Sequence, residues 1–316
     1  MQSLHLNATG KTNVDRVLRG LVGSFEIAFP GRVRAYYVEG SQADQTGLTT
    51  SDIDINIVFK ETFADDERQK ALELAEYCDS LSMMEFDIDI VDEQQAAKGV
   101  GPALKLASTF IYGEDTRDQF PLIPIELWAR ERMHIAYWLM INVFGRPPLV
   151  LLPLNYPDAE AEFYGYTRRK VRLLDGSEVD STRDLIRVVG WIGTAIVALT
   201  SGHYVARKRD CHRLYREYVG DEWTALLEDI YGKCRGDWHY VIPQKAAERT
   251  ELQTICRRTL EFENHFLSIY KSFLLSELRT GTIEVKAHIL WLLGKIVYHD
   301  PAIIEAVQLL SQDENP

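Results

Sequence analysis

Two short stretches of the chain alternate acid with apolar residue so strictly that one backbone geometry suits them. They are Asp52-Ile53-Asp54-Ile55-Asn56-Ile57 and Glu85-Phe86-Asp87-Ile88-Asp89-Ile90. A period of two is that of a β-strand, whose successive side chains point to opposite faces. A helix would scatter the same residues around its whole circumference. Each stretch therefore reads as a strand with one greasy face for a core and one row of carboxylates. Carboxylates side by side repel one another, and taking them out of water is costly unless a cation sits among them. Mg²⁺ suits such a place, since it takes oxygen ligands and keeps water and substrate phosphates in its shell. If the second strand lies beside the first, Asp52 and Asp54 gain a third carboxylate. Three carboxylates can hold two metal ions about 3.5–4 Å apart, the arrangement used for in-line displacement at phosphorus. Asp87, at the centre of its strand, is the favoured third ligand, with Glu85 and Asp89 as alternates.

The flanking sequence supplies more elements. Asn13 to Phe29 has apolar residues at helical spacing (Val14, Val17, Leu18, Leu21, Val22, Phe25), closed by Pro30-Gly31. Val33–Val38 reads as a strand, and Glu39–Ser51 as a polar, turn-rich connection. Within it, Gly40 permits close backbone approach, and Ser41 offers a hydroxyl and an N–H to a phosphate oxygen. Asp65–Leu81 reads as a helix with Leu72, Ala75 and Cys78 inward, Met84–Val91 as the second acidic strand, Pro102–Ala107 as a short helix and Phe110–Tyr112 as a last strand. Pro121 and Pro124 punctuate a linker around Arg117–Pro124. Beyond it come helical patterns at Glu126–Phe144, Ser181–Ser201, Val205–Val219, Glu222–Lys233, Gln244–Leu275 and Ile283–Val297. The one strand signal there is a hairpin over Lys170–Val179 with Asp175-Gly176 at its turn. The Pro-rich stretch Arg146–Pro157 is expected to be a loop. The expected fold class is α+β: a small mixed-sheet domain at 1–118 and an all-helical domain at 119–316.

Charge divides unevenly between those halves. Residues 1–118 hold 11 Lys/Arg against 21 Asp/Glu, a net of −10, while the remainder holds 24 against 26. A surface as acidic as the first repels nucleic-acid phosphates and attracts cations. The cysteines Cys78, Cys211, Cys234 and Cys256 form no CxxC clip, and reduced structural thiols are expected. No apolar run approaches the roughly 20 residues of a membrane helix, and Met1–Asn13 lacks the pattern of a secretory signal, so the expected location is cytoplasmic. The histidines show neither HxxxH spacing nor a Ser-His-Asp arrangement, which leaves metalloprotease and hydrolase readings without support.

Gly40-Ser41, then ten residues, then Asp52-Ile53-Asp54 resembles the signature of the DNA polymerase β-like nucleotidyltransferase superfamily. Within it, Tyr37-Val38-Glu39-Gly40-Ser41 followed by Thr50-Ser51-Asp52-Ile53-Asp54-Ile55 looks most like the aminoglycoside nucleotidyltransferases. Leu104-Lys105-Leu106-Ala107-Ser108 and Ile111-Tyr112-Gly113-Glu114-Asp115 are similar to the end of that catalytic domain, so the resemblance spans about residues 15–118. A weaker likeness continues through Leu199-Thr200-Ser201-Gly202-His203-Tyr204, Arg207-Lys208-Arg209-Asp210, Tyr218, Trp223 and Leu226-Leu227. These look like the helical domain of streptomycin/spectinomycin adenylyltransferases. This chain differs in placing Ser201 between Thr200 and Gly202 and in extending further at its C-terminus.

The resemblance implies an antibiotic-resistance-type adenylyltransferase. Asp52, Asp54 and Asp87 would hold Mg²⁺, two ions in all, with Asp87 serving as metal ligand or as general base. Gly40, Ser41 and a cation from Arg207 or Lys208 would hold the phosphates of ATP, the substrate. The helical domain would close over nucleotide and acceptor. The implied acceptor is a small, cationic, hydroxylated molecule of the aminoglycoside kind, which also fits the acidic first domain; membrane and nucleic-acid partners are not expected. Two other readings stay open. One is nucleotidyl transfer to a protein or tRNA, which calls for a basic face. The other is a non-catalytic nucleotide-sensing module, which calls for a lost carboxylate, whereas Asp52 and Asp54 are both present.

Overall fold

A computed structural model of the protein describes residues 4–47, 51–82, 84–173, 176–297, 303–305 and 308. The chain divides into two compact units. The first comprises Met1–Ala129 with Arg172–Ser177 and Ser201–Leu214, the second Arg130–Val171, Glu178–Thr200 and Tyr215–Pro316.

In the first unit, helix α1 (Thr12–Ala28) buries Val14, Leu18, Leu21, Val22 and Phe25, the stripe its 3.6-residue period dictates. Its first turn is steadied from outside, because the Thr9 N–H and hydroxyl both donate to Asp15 Oδ1 at 2.7 Å. Strand β1 (Val33–Val38) leads into the four-residue helix α2 (Gly40–Ala43), which occupies part of the stretch expected to be loop. Thr50, part of the resemblance motif, lies outside the described residues. Strand β2 (Ile53–Phe59), helix α3 (Glu67–Leu81), strand β3 (Phe86–Asp92), the short helices α4 (Glu93–Ala96) and α5 (Pro102–Ala107), and strand β4 (Thr109–Gly113) follow. The sheet order is β3-β2-β1-β4, with β2 parallel to β3 and β1 antiparallel to both β2 and β4.

The two sheet faces have different neighbours. Ile53, Ile55, Ile57 and Phe59 pack with Ile90, Ala71, Ala75 and the stripe of α1 in the larger core. Each fully buried aliphatic side chain there contributes roughly 1.5–3 kcal/mol, so a one-residue slip of β2 would expose the whole set. On the opposite face, Ala35, Tyr37 and Val58 meet Ala96, Val100, Leu104 and Phe120 in a smaller core. That cluster covers the Val58 end of β2. Asp52 and Asp54 stand on the same face by strand alternation, toward the other end.

In the second unit, α6 (Ile125–Val143, whose first residues belong to the first unit), α7 (Arg183–Ser201) and the 35-residue α10 (Ala246–Thr280) supply long buried faces; Tyr137 stacks on Tyr270 at 5.0 Å between ring centres. The Arg146 side chain, 5% exposed, donates to Glu263 Oε2 at 2.6 Å, and the Tyr166 hydroxyl donates to the same oxygen at 2.6 Å. α9 (Thr224–Asp229) runs on into a π-helical turn at Ile230–Asp237, which carries Gly232 and Gly236, and α11 (Ile283–Leu293) follows α10.

Several expectations need correction. The Pro-rich stretch holds a strand, β5 (Val150–Leu151), paired in parallel with β8 (Ile296–Val297); no local pattern betrays a two-residue strand whose partner is so distant. The expected hairpin exists as β6 (Lys170–Arg172) and β7 (Glu178–Asp180), with Asp175 of its turn outside the described residues. The helix expected from Val205 begins at α8 (Cys211–Tyr218), after a 3-10 turn at Lys208–Asp210. Side-chain anchors set that delay: the Tyr204 hydroxyl donates to the Ile123 carbonyl, and Arg207 to Asp44. Among the described residues one helix, Arg183–Ser201, is in fact long and apolar enough to cross a membrane by length and composition, at a mean hydropathy of 1.4. Of its most apolar window, 72% is buried inside the protein, as for a core helix. The four cysteines are free thiols, three of them buried, as expected.

Candidate active site

Strand β1 delivers the chain to Glu39, whose N–H donates to the Asp54 carbonyl at 2.9 Å. The next residue, Gly40, has a φ of +63°, and a Cβ added there would lie 2.1 Å from Asp54 Oδ2. Only glycine meets both conditions, since it adopts the left-handed region freely and has no side chain to strike the carboxylate. The Gly-Ser turn and the first acidic strand are thus fitted to one another at atomic contact. The Ser41 carbonyl then accepts from the N–H groups of Thr46 and Gly47, at 3.0 and 2.8 Å, which folds the loop back.

Gln42 locks this turn to the acidic strand. It is 1% exposed; its Nε2 lies 3.5 Å from the Ser51 carbonyl and 3.4 Å from that of Asp52, while its Oε1 accepts from Lys11 Nζ at 3.1 Å. Lys11 also donates to the Gly47 carbonyl at 2.7 Å, and burial holds its pKa below the ordinary lysine range. Sequence patterning passed over Gln42 and Lys11. Both sit next to the motif, but their role depends on how the loop closes.

The parallel pairing of β2 with β3 sets the carboxylates in rows. Asp54 stands opposite Asp87 and Asn56 opposite Asp89, while the Ile53 N–H donates to the Glu85 carbonyl at 2.9 Å. Neighbouring strands lie about 4.8 Å apart, so facing carboxylates share one small volume. Among the described residues, no group of three His, Cys, Asp or Glu side chains converges tightly enough to hold a metal ion as placed. The donor set is nonetheless hard oxygen throughout, and at Gly40 the backbone comes so close to Asp54 that a Cβ would overlap its carboxylate.

A further acid belongs to this neighbourhood. Glu39 is pushed up to about 8, first by burial and then by the charges of Asp54, Asp89 and Asp87, against a lowering influence from Lys208. The carboxyl of Asp89 is raised as well, by desolvation foremost, then by Asp87. Burial is the main cause for both carboxyls, and the neighbouring carboxylates add to it, a surplus of negative charge that a bound cation would relieve. Nothing in the spacing of the motif singled out Glu39.

The basic triplet Arg207-Lys208-Arg209 belongs to the same compact unit as these acids. Arg207 Nε donates to Asp44 Oδ1 at 2.8 Å, and Arg209 Nε lies 3.4 Å from Asp44 Oδ2. Lys208, between them, reaches a different acid: its Nζ is 3.8 Å from Asp54 Oδ1. The structure therefore brings together Gly40, Ser41, Asp52, Asp54, Asp87 and Lys208, and sets Arg207 against Asp44, the residue that follows α2.

No family model matches the chain, and no curated protein matches it. Among solved structures, it is similar to a spectinomycin adenyltransferase from Enterococcus faecialis, solved with ATP and spectinomycin. That likeness has 11% identity and a TM-score of 0.45, over 78% of this chain and 98% of the other. A second likeness is to a candidate nucleotidyltransferase from Sulfolobus solfataricus, with 20% identity and a TM-score of 0.24, over 36% of this chain and 96% of the other.

Proposed function

We propose that the chain is a Mg²⁺-dependent nucleotidyltransferase that moves AMP from ATP to a hydroxyl of a small, cationic, hydroxylated acceptor of the aminoglycoside class. The observation that carries this reading is the contact of Gly40 with Asp54, with Asp87 in register beside it. A tight Gly-Ser turn packed against one carboxylate, with a second carboxylate on the adjacent parallel strand, has the parts that triphosphate chemistry needs. Mg²⁺, when bound by Asp52, Asp54 and Asp87, would neutralise charge on the phosphates and orient the α-phosphorus for attack. Ser41 supplies its hydroxyl and N–H to the phosphate tail. Lys208 supplies the positive charge the acidic strands lack, and as a point charge on a flexible stem it can follow the β- and γ-phosphates. Asp87, on the outer strand, either completes that metal site or instead accepts the proton of the attacking hydroxyl. In-line attack breaks the bond to pyrophosphate, and these residues act through position and charge rather than covalent chemistry.

The acceptor class rests on charge. The acid rows lie in a segment of net charge −10 over residues 1–118, a field that draws polycations and repels RNA. The direct test incubates the protein with each α-labelled NTP, Mg²⁺ and a panel of aminoglycosides, tRNA and proteins. Label from ATP on an aminoglycoside is the expected result. Label on RNA or protein alone would replace the acceptor, and ATP binding without transfer to any acceptor would favour a sensing module.

A further inference from the structure

Lys208 occupies an odd position for a residue assigned only to phosphate. Its ammonium lies 3.8 Å from Asp54 Oδ1, the carboxylate that packs on Gly40. The side chain is 66% exposed. A lysine that exposed, on a free loop, would gain little from one carboxylate and would spend its time in water. This loop, however, is pinned on both sides of Lys208. Arg207 and Arg209 converge on the one Asp44 carboxylate, which is only 7% exposed, and Arg209 Nη1 also donates to the Asp44 carbonyl at 3.4 Å. Upstream, the Tyr204 hydroxyl bonds the Ile123 carbonyl and its ring packs on Trp128 at 5.3 Å. Asp44 directly follows α2, which begins at Gly40. The clamp therefore ties Lys208 to the same rigid turn that fits against Asp54.

We propose that Lys208 is the resident counter-ion of Asp54, held there by the Arg207–Asp44–Arg209 clamp, and that it must yield this carboxylate before a divalent cation can bind. The freed ammonium is then already beside the incoming triphosphate. The first half of this inference concerns Asp54 and cations alone, and the second half rests on the nucleotidyltransferase reading. Arg207 and Arg209 are positioning residues on this account.

Such a role gives Lys208 opposite effects on two ligands. A neutral residue removes a competitor, so Lys208→Gln should tighten Mn²⁺ binding, measured by titration calorimetry or electron paramagnetic resonance without nucleotide. The expected gain is about three- to tenfold, a modest factor because the pair is well solvated. The same variant should weaken binding of ATP with Mg²⁺ by about tenfold or more, from the lost charge-assisted contact. Lys208→Arg keeps the charge and should return Mn²⁺ affinity to within about twofold of the parent. Arg207→Gln with Arg209→Gln should shift both affinities in the same directions by smaller factors. Asp54→Asn should abolish the Mn²⁺ signal in every background. If Mn²⁺ binding depends on Asp54 but is unchanged or weaker in Lys208→Gln, the counter-ion role is refuted while the site stands. If the parent protein binds Mn²⁺ no better than Asp54→Asn does, the nucleotidyltransferase reading itself fails, and the inference with it.

Discussion

Replacing Gly40 by alanine tests whether the turn and the first acidic strand are fitted to one another. Two costs add at this position. The φ of +63° is a left-handed conformation that costs an L-residue about 1–2 kcal/mol. The new Cβ would also stand 2.1 Å from Asp54 Oδ2, more than an ångström short of ordinary contact, so the carboxylate must retreat. Overpacking of that kind costs roughly another 1–3 kcal/mol, and displacing a reacting group by about 1 Å costs on the order of a hundredfold in rate. Gly31 is a built-in control, with a φ of +71° and nothing within 4 Å of its added Cβ. Gly31→Ala should lower Tm by a few degrees and leave activity intact. Gly40→Ala should lower Tm further, weaken Mn²⁺ binding and reduce nucleotidyl transfer by about a hundredfold. Asp54→Ala removes the struck atoms, so in that background Gly40→Ala should cost no more stability than Gly31→Ala does. The assay is a double-mutant cycle by thermal melting, with metal binding and transfer measured on the single variants. A Gly40→Ala protein that melts with Gly31→Ala and transfers within about threefold of the parent would show that the close approach does not matter.

Asp54→Asn should abolish transfer while leaving the fold intact, since relief of repulsion among the carboxylates offsets the lost pairing with Lys208; full activity in that variant would sink the proposed site. Glu39 predicts a pH effect. Its carboxyl titrates at about 8 when folded, against 4.5 as the ordinary value, so the folded state holds the extra proton between those limits. The contribution of Glu39 to stability is then complete below about pH 4.5 and is lost as pH rises toward 8. Without metal, the Tm advantage of Glu39→Gln over the parent should accordingly grow across that window, and a pH-independent difference would contradict the burial of Glu39. ATP with Mg²⁺ at about 100 times Kd should stabilise by about 2.7 kcal/mol, a shift that EDTA should largely erase; an equal shift without divalent metal would point to nucleotide binding independent of the acid rows. In the second unit, Glu263→Ala should cost about 3–5 kcal/mol by stranding buried Arg146, and a loss under 1 kcal/mol by denaturant titration would contradict that pairing.

The acid–apolar alternation determined β2 and β3 and the face on which each carboxylate stands, because a period of two is a local property of the backbone. The same locality made α1 and α3 readable from spacing, and made Gly40-Ser41 recognisable as a turn before an acidic strand. Register is not local. That Asp87 faces Asp54, while Asp89 faces Asn56, follows from how two strands separated by α3 are drawn together by packing of their apolar faces. Glu39 shows the same limit, since its raised carboxyl arises from burial and from charges on two other strands. Arg207 and Lys208 are equal candidates by charge and position. Only the tertiary structure, by putting Asp44 against one and Asp54 against the other, separates a clamp from a counter-ion. Pairings such as β5 with β8 were illegible for a related reason: two residues carry no period, and what holds them is a partner far along the chain. Local spacing specified the parts of the site, and long-range packing decided which part touches which.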